Sequence, residues 1–430
     1  YVATGDKGIE AVRISEFDEP QAIIGSYLHR YSYPDDYARH SEEKDQQLEE
    51  SHRHHGGGGK TNAIQHRGEY LYTTAGEAGF RVYDIANIAN KGFSERIVTA
   101  PVSPLGHDTH VPTRNATSFA LPTNMPIAPF REQLPENQET PLHELYHYVV
   151  ITDAEEGLIL VNVDTLQDGE PRNNFLERAL TWNEDGVLTG ARHITLGGTN
   201  AFIATENHLV IVDLDKPLSP KVVKKIPFHA PRASALQFRY LFVVDSEGMH
   251  VVDVTRVGEA KKIVNATIPL QDARGVYLAR TFAYVAGGAE GLVIVDIERP
   301  EEPAIYKKFT ADGSLTDVND VKVASTNASL FAYLADGKSG LLVVQLTDPE
   351  RVPTYYGFSP NVEPKLIARK ELHGAALAIS KPLDRDRAVD ETGHQVSVFG
   401  RLGSRPFSKE EMERMYLRED GTVYAFPNDW

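Results

Sequence analysis

A short apolar run that ends in an acid or an amide recurs along the chain, and this recurrence restricts the fold more than any composition figure. The clearest copy is Gly291-Leu-Val-Ile-Val-Asp296. Variants stand at Gly79–Asp84, Gly157–Asn162, His208–Asp213, Gly248–Asp253 and Gly340–Gln345. Gly8–Arg13 reads as a degenerate first copy and His394–Phe399 as a degenerate last one. Closing residues at positions 213, 253, 296 and 345 are 40, 43 and 49 residues apart. A period of that size marks a repeat architecture in which each unit is one supersecondary element.

The unit itself is four strands. Before each run lies a β-rich piece ending in an Asp/Gly turn, such as "FAYVAGGAEG" (Phe282 to Gly291) or "LFVVDSEG" (Leu241 to Gly248), which is a hairpin signal. After it, a proline turn such as "IERPEEP" leads into an outer strand, and a piece such as "ARGVYLA" (Ala273 to Ala279) supplies an inner one. One four-stranded sheet leaves two apolar faces wet, so the units must stack around an axis and close. The fold class is therefore all-β, a β-propeller of four-stranded blades. Eight copies of the run are present, but the first lacks its opening strand, because the chain starts inside a hairpin at "YVATGDKG". Seven blades, one of them shared between both ends of the chain, are favoured over eight. The start at Tyr1 suggests a processed chain or part of a longer polypeptide.

These runs resemble the LVIVD repeat family of bacterial and archaeal β-propellers, whose defining stretch is present at 209–213 and 292–296. The resemblance extends from about Gly8 to Phe399 and implies a propeller of exported or cell-surface type. It brings no catalytic residues with it. Within the run, alternate residues should face the two neighbouring blades, and the closing Asp should bond backbone at the next turn.

Two long stretches break the pattern, at about 32–62 and 99–145, with the domain expected to run over residues 1–400. Both flank the same blade, so they are expected to project near each other and to meet protein partners. The first contains "HRHHGGGGKTN" (His52 to Asn62). It is not a phosphate loop, because His54 stands where the leading glycine is required. His54 and His55, with His52 and His66, are potential metal donors. The second contains His107, Asp108 and His110, an H-D-x-H cluster able to hold a metal or to lend a haem ligand to a partner. The residues 401–430 depart from the repeat. Ser408 followed by Glu411 starts a short capped helix expected to pack on the propeller. The acidic run 384–391 has calcium-like spacing, but arginines interleave it.

Residues just before or at the start of each innermost strand should ring one mouth of the channel. His193, His229, Arg232, Asp272, Arg274, Asp317, Asp320 and His373 belong to that set. They either converge on a small ligand or coat the channel as satisfied polar pairs, the reading favoured here.

The formal charge of −17 speaks against nucleic acid, whose binding requires a basic surface. No cysteine is present, which excludes disulfides, thiol chemistry and covalent haem attachment in this chain. No apolar run is long enough to span a bilayer. No HExxH or Ser-His-Asp order stands out. The expected function is a non-catalytic, extracytoplasmic interaction platform or module of a surface assembly. Alternatives are a redox accessory contributing histidines to the haem or metal centres of a partner cytochrome, and a metal-dependent hydrolase at the channel mouth.

Overall fold

A computed structural model describes residues 1–12, 23–27, 60–68, 70–85, 109–122, 142–168, 174–325, 329–348, 350–352, 359–380, 401–402 and 405–424. Seven four-stranded antiparallel sheets form the blades. Blade 1 is built from both ends of the chain: Ala378–Ile379 is innermost, followed by Val2–Ala3, Ile9–Val12 and Ile23–Tyr27. Val2 lies directly opposite Ile379 in that pairing. Blades 2 to 7 follow in chain order, with innermost strands Ala63–Arg67, Ala116–Ala120, His193–Gly197, Ala233–Gln237, Gly275–Ala279 and Val318–Ser325. Each innermost strand touches the next, and the last touches Ala378–Ile379, so the ring is closed.

The recurring run is the third strand of its blade. In blade 6, Val293 and Val295 pack toward blade 5 while Leu292 and Ile294 pack toward blade 7. In blade 4, Val210 and Val212 face blade 3 while Leu209 and Ile211 face blade 5. The strand period of two thus divides one apolar run between two cores. Among the described residues the apolar core falls into seven clusters, one for each joint between neighbouring blades. Burying one such side chain contributes about 1.5–3 kcal/mol, so a blade without its neighbours would lose most of its stabilisation. The closing residue caps the following turn: Asp213, Asp253 and Asp296 accept the amides of Asp215, Thr255 and Glu298 at 2.8–2.9 Å.

In blades 6 and 7 the two hairpin glycines have separate reasons. Gly288 and Gly337 adopt positive φ and bridge Val318 and Ala376 of the following blade. Gly291 and Gly340, also at positive φ, pass so close to the outer strand that a Cβ would lie 2.4 and 2.1 Å from the carbonyls of Phe309 and Lys370. No side chain fits there.

The outer strands of blades 3 to 7 are exposed sheet edges. In blades 1, 3, 4, 5, 6 and 7 the pairing between third and outer strand slips at the same stage of the run, as between Ile211 and Val212 or Ile294 and Val295. Lysines such as Lys221, Lys261, Lys307 and Lys365 line these strands. A bulge plus charge obstructs pairing with another chain's edge.

The expected insertion at 99–145 requires correction. His110–Val111 is the outer strand of blade 2 and Ala116–Ala120 the innermost strand of blade 3. Pro112 and Pro122 flank these short strands, and neither strand carries the repeat's run, so the stretch reads as irregular from sequence. Phe119 and Leu121 belong to the core between blades 2 and 3. Residues 28–59, 86–108 and 123–141, the bulk of the long stretches, lie outside the described residues. Strands alternate in direction, so each outer strand ends at the face that bears the hairpin turns between second and third strands. The turns between first and second strands and between third and outer strands lie at the opposite face. We call these the upper and lower faces.

Helix α1, Lys409–Tyr416, begins at Ser408. The Ser408 amide donates to Glu411 Oε2 at 2.8 Å and Ser408 Oγ accepts the Glu411 amide at 3.3 Å. It lies at the lower face beside Gly197 and Phe202 of blade 4 and Leu236 and Val254 of blade 5. Arg256 reaches the Gly421 carbonyl at 3.2 Å. No described helix is long and apolar enough to cross a membrane. The degenerate run at 394–399 and the acidic run at 384–391 lie outside the described residues.

Candidate functional site

The residues that enter each innermost strand sit on the upper face at the channel mouth. Four of the expected mouth residues form a continuous ladder there. Arg232 of blade 5 donates to Asp272 and to the carbonyl of Ala273, which lead into blade 6. Asp272 Oδ2 receives Arg274 Nε at 2.8 Å and Nη2 at 2.6 Å. Arg274 Nη1 then reaches Asp317 Oδ1 at 2.5 Å and Asn319 Oδ1 at 2.6 Å in blade 7. Asn319 Nδ2 passes the chain on to the Ala376 carbonyl of blade 1 at 3.0 Å. Burial pushes the Asp272 carboxyl up, but the guanidiniums of Arg274 and Arg232 more than offset this and hold it below the usual carboxylate range. These charges are directed at one another, along the ring, rather than at a common point over the channel.

The remaining mouth residues separate. Asp320 accepts Lys322 Nζ at 2.7 Å and the Ile379 amide at 2.9 Å, another tie between blades 7 and 1. His193 opens the innermost strand of blade 4. Burial first, and the positive charge of Lys322 second, lower its pKa to about 4, so it is neutral at physiological pH. His373 turns to blade 1, where its amide and Nδ1 meet the fully buried Glu10 at 2.8 and 3.1 Å. His229 lies away from the ladder, with Nε2 3.7 Å from Glu247 Oε1.

His110, one of the expected metal donors, is buried in the outer strand of blade 2, and its Nε2 donates to the Ala78 carbonyl at 2.9 Å. His107, Asp108, His52, His54 and His55 lie outside the described residues. His66 Nε2 bonds the Gly68 carbonyl at 2.7 Å.

Sequence reasoning passed over a second group on the same face. Asp245 is fully buried in the hairpin of blade 5. Its Oδ1 accepts the amides of Glu247 and Gly248 at 2.8 and 3.1 Å and lies 3.0 Å from His250 Nε2. Burial raises the Asp245 pKa, but these donors, His250 foremost, bring it below the ordinary value. His250 Nδ1 is 3.2 Å from Thr267 Oγ1. One donor atom each from Asp245, Glu247 and His250 lies within 4.8 Å of the others. The signal was available in the repeat: His250 fills the second apolar position of the run, where blades 3, 4, 6 and 7 have Ile159, Val210, Val293 and Leu342.

Comparison with known proteins agrees with the repeat. The LVIVD repeat profile matches residues 58–99, 190–226 and 271–310, consistent with an LVIVD-repeat β-propeller family. No curated protein matches the chain significantly. A solved protein from Lactobacillus plantarum is similar with a TM-score of 0.50 at 10% identity, over 74% of this chain and 87% of that one. The Cps50 (Swd1) β-propeller domain of Myceliophteria thermophila aligns at 13% identity with a TM-score of 0.42, over 74% and 89%. Hsv2 of Kluyveromyces lactis aligns at 9% identity with a TM-score of 0.35, over 60% and 63%.

Proposed function

We propose that this chain is a non-catalytic, extracytoplasmic interaction platform, a stiff ring on which protein partners assemble. The observation that carries this reading is the ladder from Arg232 to Asn319, which commits the mouth's charged groups to joining blades. A hydrolytic centre would instead aim a nucleophile or base and an oxyanion donor at one point. The extracytoplasmic setting follows the likeness of the repeats to those of exported proteins.

Cross-linking mass spectrometry on the native cell envelope tests this. The expected result is a discrete partner set whose cross-links fall mainly within 32–59, 99–108 and 123–141, in an extracytoplasmic fraction. A chain found only in the cytoplasm, or cross-links without any recurrent partner, would contradict it. A haem absorbance band travelling with the partner would favour the redox accessory instead.

A further inference from the structure

We propose that the hairpin of blade 5 is a binding site for a divalent transition-metal ion, Zn²⁺ foremost, held by Asp245, Glu247 and His250 with His229 as a fourth donor. The motif position argues first. An imidazole in a slot that blades 3, 4, 6 and 7 fill with Ile, Val or Leu sacrifices apolar packing at the joint with blade 4, and His250 is nevertheless buried. Its ring packs edge-on against Phe228, with centroids 5.6 Å apart.

Asp245 supplies the second argument. Its Oδ1 is saturated by two amides and the His250 ring, whereas its Oδ2 is buried without any hydrogen-bond partner. A buried carboxylate oxygen left without a donor is unfavourable, and a cation satisfies it. Zn²⁺ binds nitrogen and oxygen at roughly 2.0–2.2 Å, so donors already within 4.8 Å of one another need only a modest contraction. Glu247 and His229 are more than half exposed and free to swing inward. His250 is held from behind by Thr267, the outer contact that orients a metal-binding imidazole. Two imidazoles and two carboxylates suit Zn²⁺ better than Mg²⁺ or Ca²⁺, which prefer oxygen donors throughout.

One neighbour opposes the ion. Lys262 stands with its ammonium 3.7 Å from the centre of the Phe228 ring and within the fields of Asp245 and Glu247. It supplies part of the countercharge when no metal is bound.

The test uses the full chain carrying His52, His54 and His55 changed to Gln, so that this histidine tract cannot contribute. After chelation, ZnCl₂ titration calorimetry should give one site per chain, and Co²⁺ should give visible absorbance of a four-coordinate ion. His250→Val, which restores the residue of blades 4 and 6, should abolish both signals while leaving the thermal transition cooperative. Glu247→Gln, at an exposed side chain that cannot disturb the core, should weaken binding. Lys262→Met should tighten it by about tenfold, the effect of removing one nearby like charge. Absence of saturable Zn²⁺ binding, or binding unchanged in both His250→Val and Glu247→Gln, overturns the proposal.

Discussion

The joints between blades 5, 6, 7 and 1 and those between blades 3, 4 and 5 perform one task with different chemistry. In the first set, Arg232, Asp272, Arg274 and Asp317 form charged rungs at the mouth, each about a third to a half exposed. In the second, neutral hydroxyls serve within the innermost strands. Thr117 Oγ1 donates to the Ala191 carbonyl at 2.9 Å, and Thr195 Oγ1 to the Ser234 carbonyl at 2.9 Å. At the mouth, water solvates the charges and their pairing entails little desolvation. Where Thr195 meets Ser234 within the strands, a hydroxyl satisfies the neighbouring carbonyl without the desolvation that an ion pair entails. A blade therefore does not prescribe how it joins the next, so joint residues vary while the apolar run is retained.

Substitutions at the two kinds of joint should separate them. Arg274→Ala removes three charged contacts at once and leaves Asp317 without its cationic partner. A loss of about 2 kcal/mol by denaturant unfolding is expected, shrinking in 1 M NaCl as screening weakens the wild-type ladder. An equal loss at high and low salt would mean that the arginine matters only through packing.

His193, which the field of Lys322 reaches, should make stability depend on pH. Its folded pKa of about 4 lies below its unfolded value near 6.5. Between these values the unfolded chain binds the extra proton, so stability falls as pH drops from about 6.5 to 4. The loss is on the order of 2 kcal/mol for a group partly reached by channel water. His193→Gln should flatten this slope, and an unchanged profile would assign it to the carboxylates instead. Those with depressed pKa values, such as Asp272 and Glu156, lose their contribution as pH falls below the ordinary carboxylate range.

The smallest effect belongs to the hydroxyl joint. Thr195→Val should cost about 1 kcal/mol, the net worth of one neutral hydrogen bond, and the loss should be the same at every salt concentration. Salt dependence there would erase the contrast between the joints.

Where the chain's local pattern repeats, the fold was readable from it. The six clear runs are all third strands, the closing Asp residues cap the turns as their chemistry requires, and Ser408 with Glu411 marks the only described α-helix. The shared blade followed from a first copy that lacks its partner strand. Less was readable where partners meet through the ring rather than along the chain. Arg232, Asp272, Arg274 and Asp317 were placed at the mouth by their position before innermost strands. Their order as a ladder depends on the spacing between blades, which no single segment encodes. Ala116–Ala120 was missed because prolines bracket it and its small residues carry no alternation of note. The departures at the run's second apolar position were visible but unused. Glu10, Arg81 and His250 stand there in blades 1, 2 and 5, each buried, and each marks a joint unlike its neighbours.

The most direct test of the closed ring exploits the absence of cysteine from the chain. Val2 and Ile379 are buried, directly opposed across the shared blade, and belong to the same core cluster. Opposed residues of an antiparallel pair bring their Cβ atoms to a separation that a disulfide can bridge. The double variant Val2→Cys, Ile379→Cys should therefore oxidise within one chain to a single bond, with no free thiol, and gain a few kcal/mol of stability that reduction removes. Thiols that stay free under oxidising conditions, or that link only separate chains, would mean that the two ends do not meet in one blade.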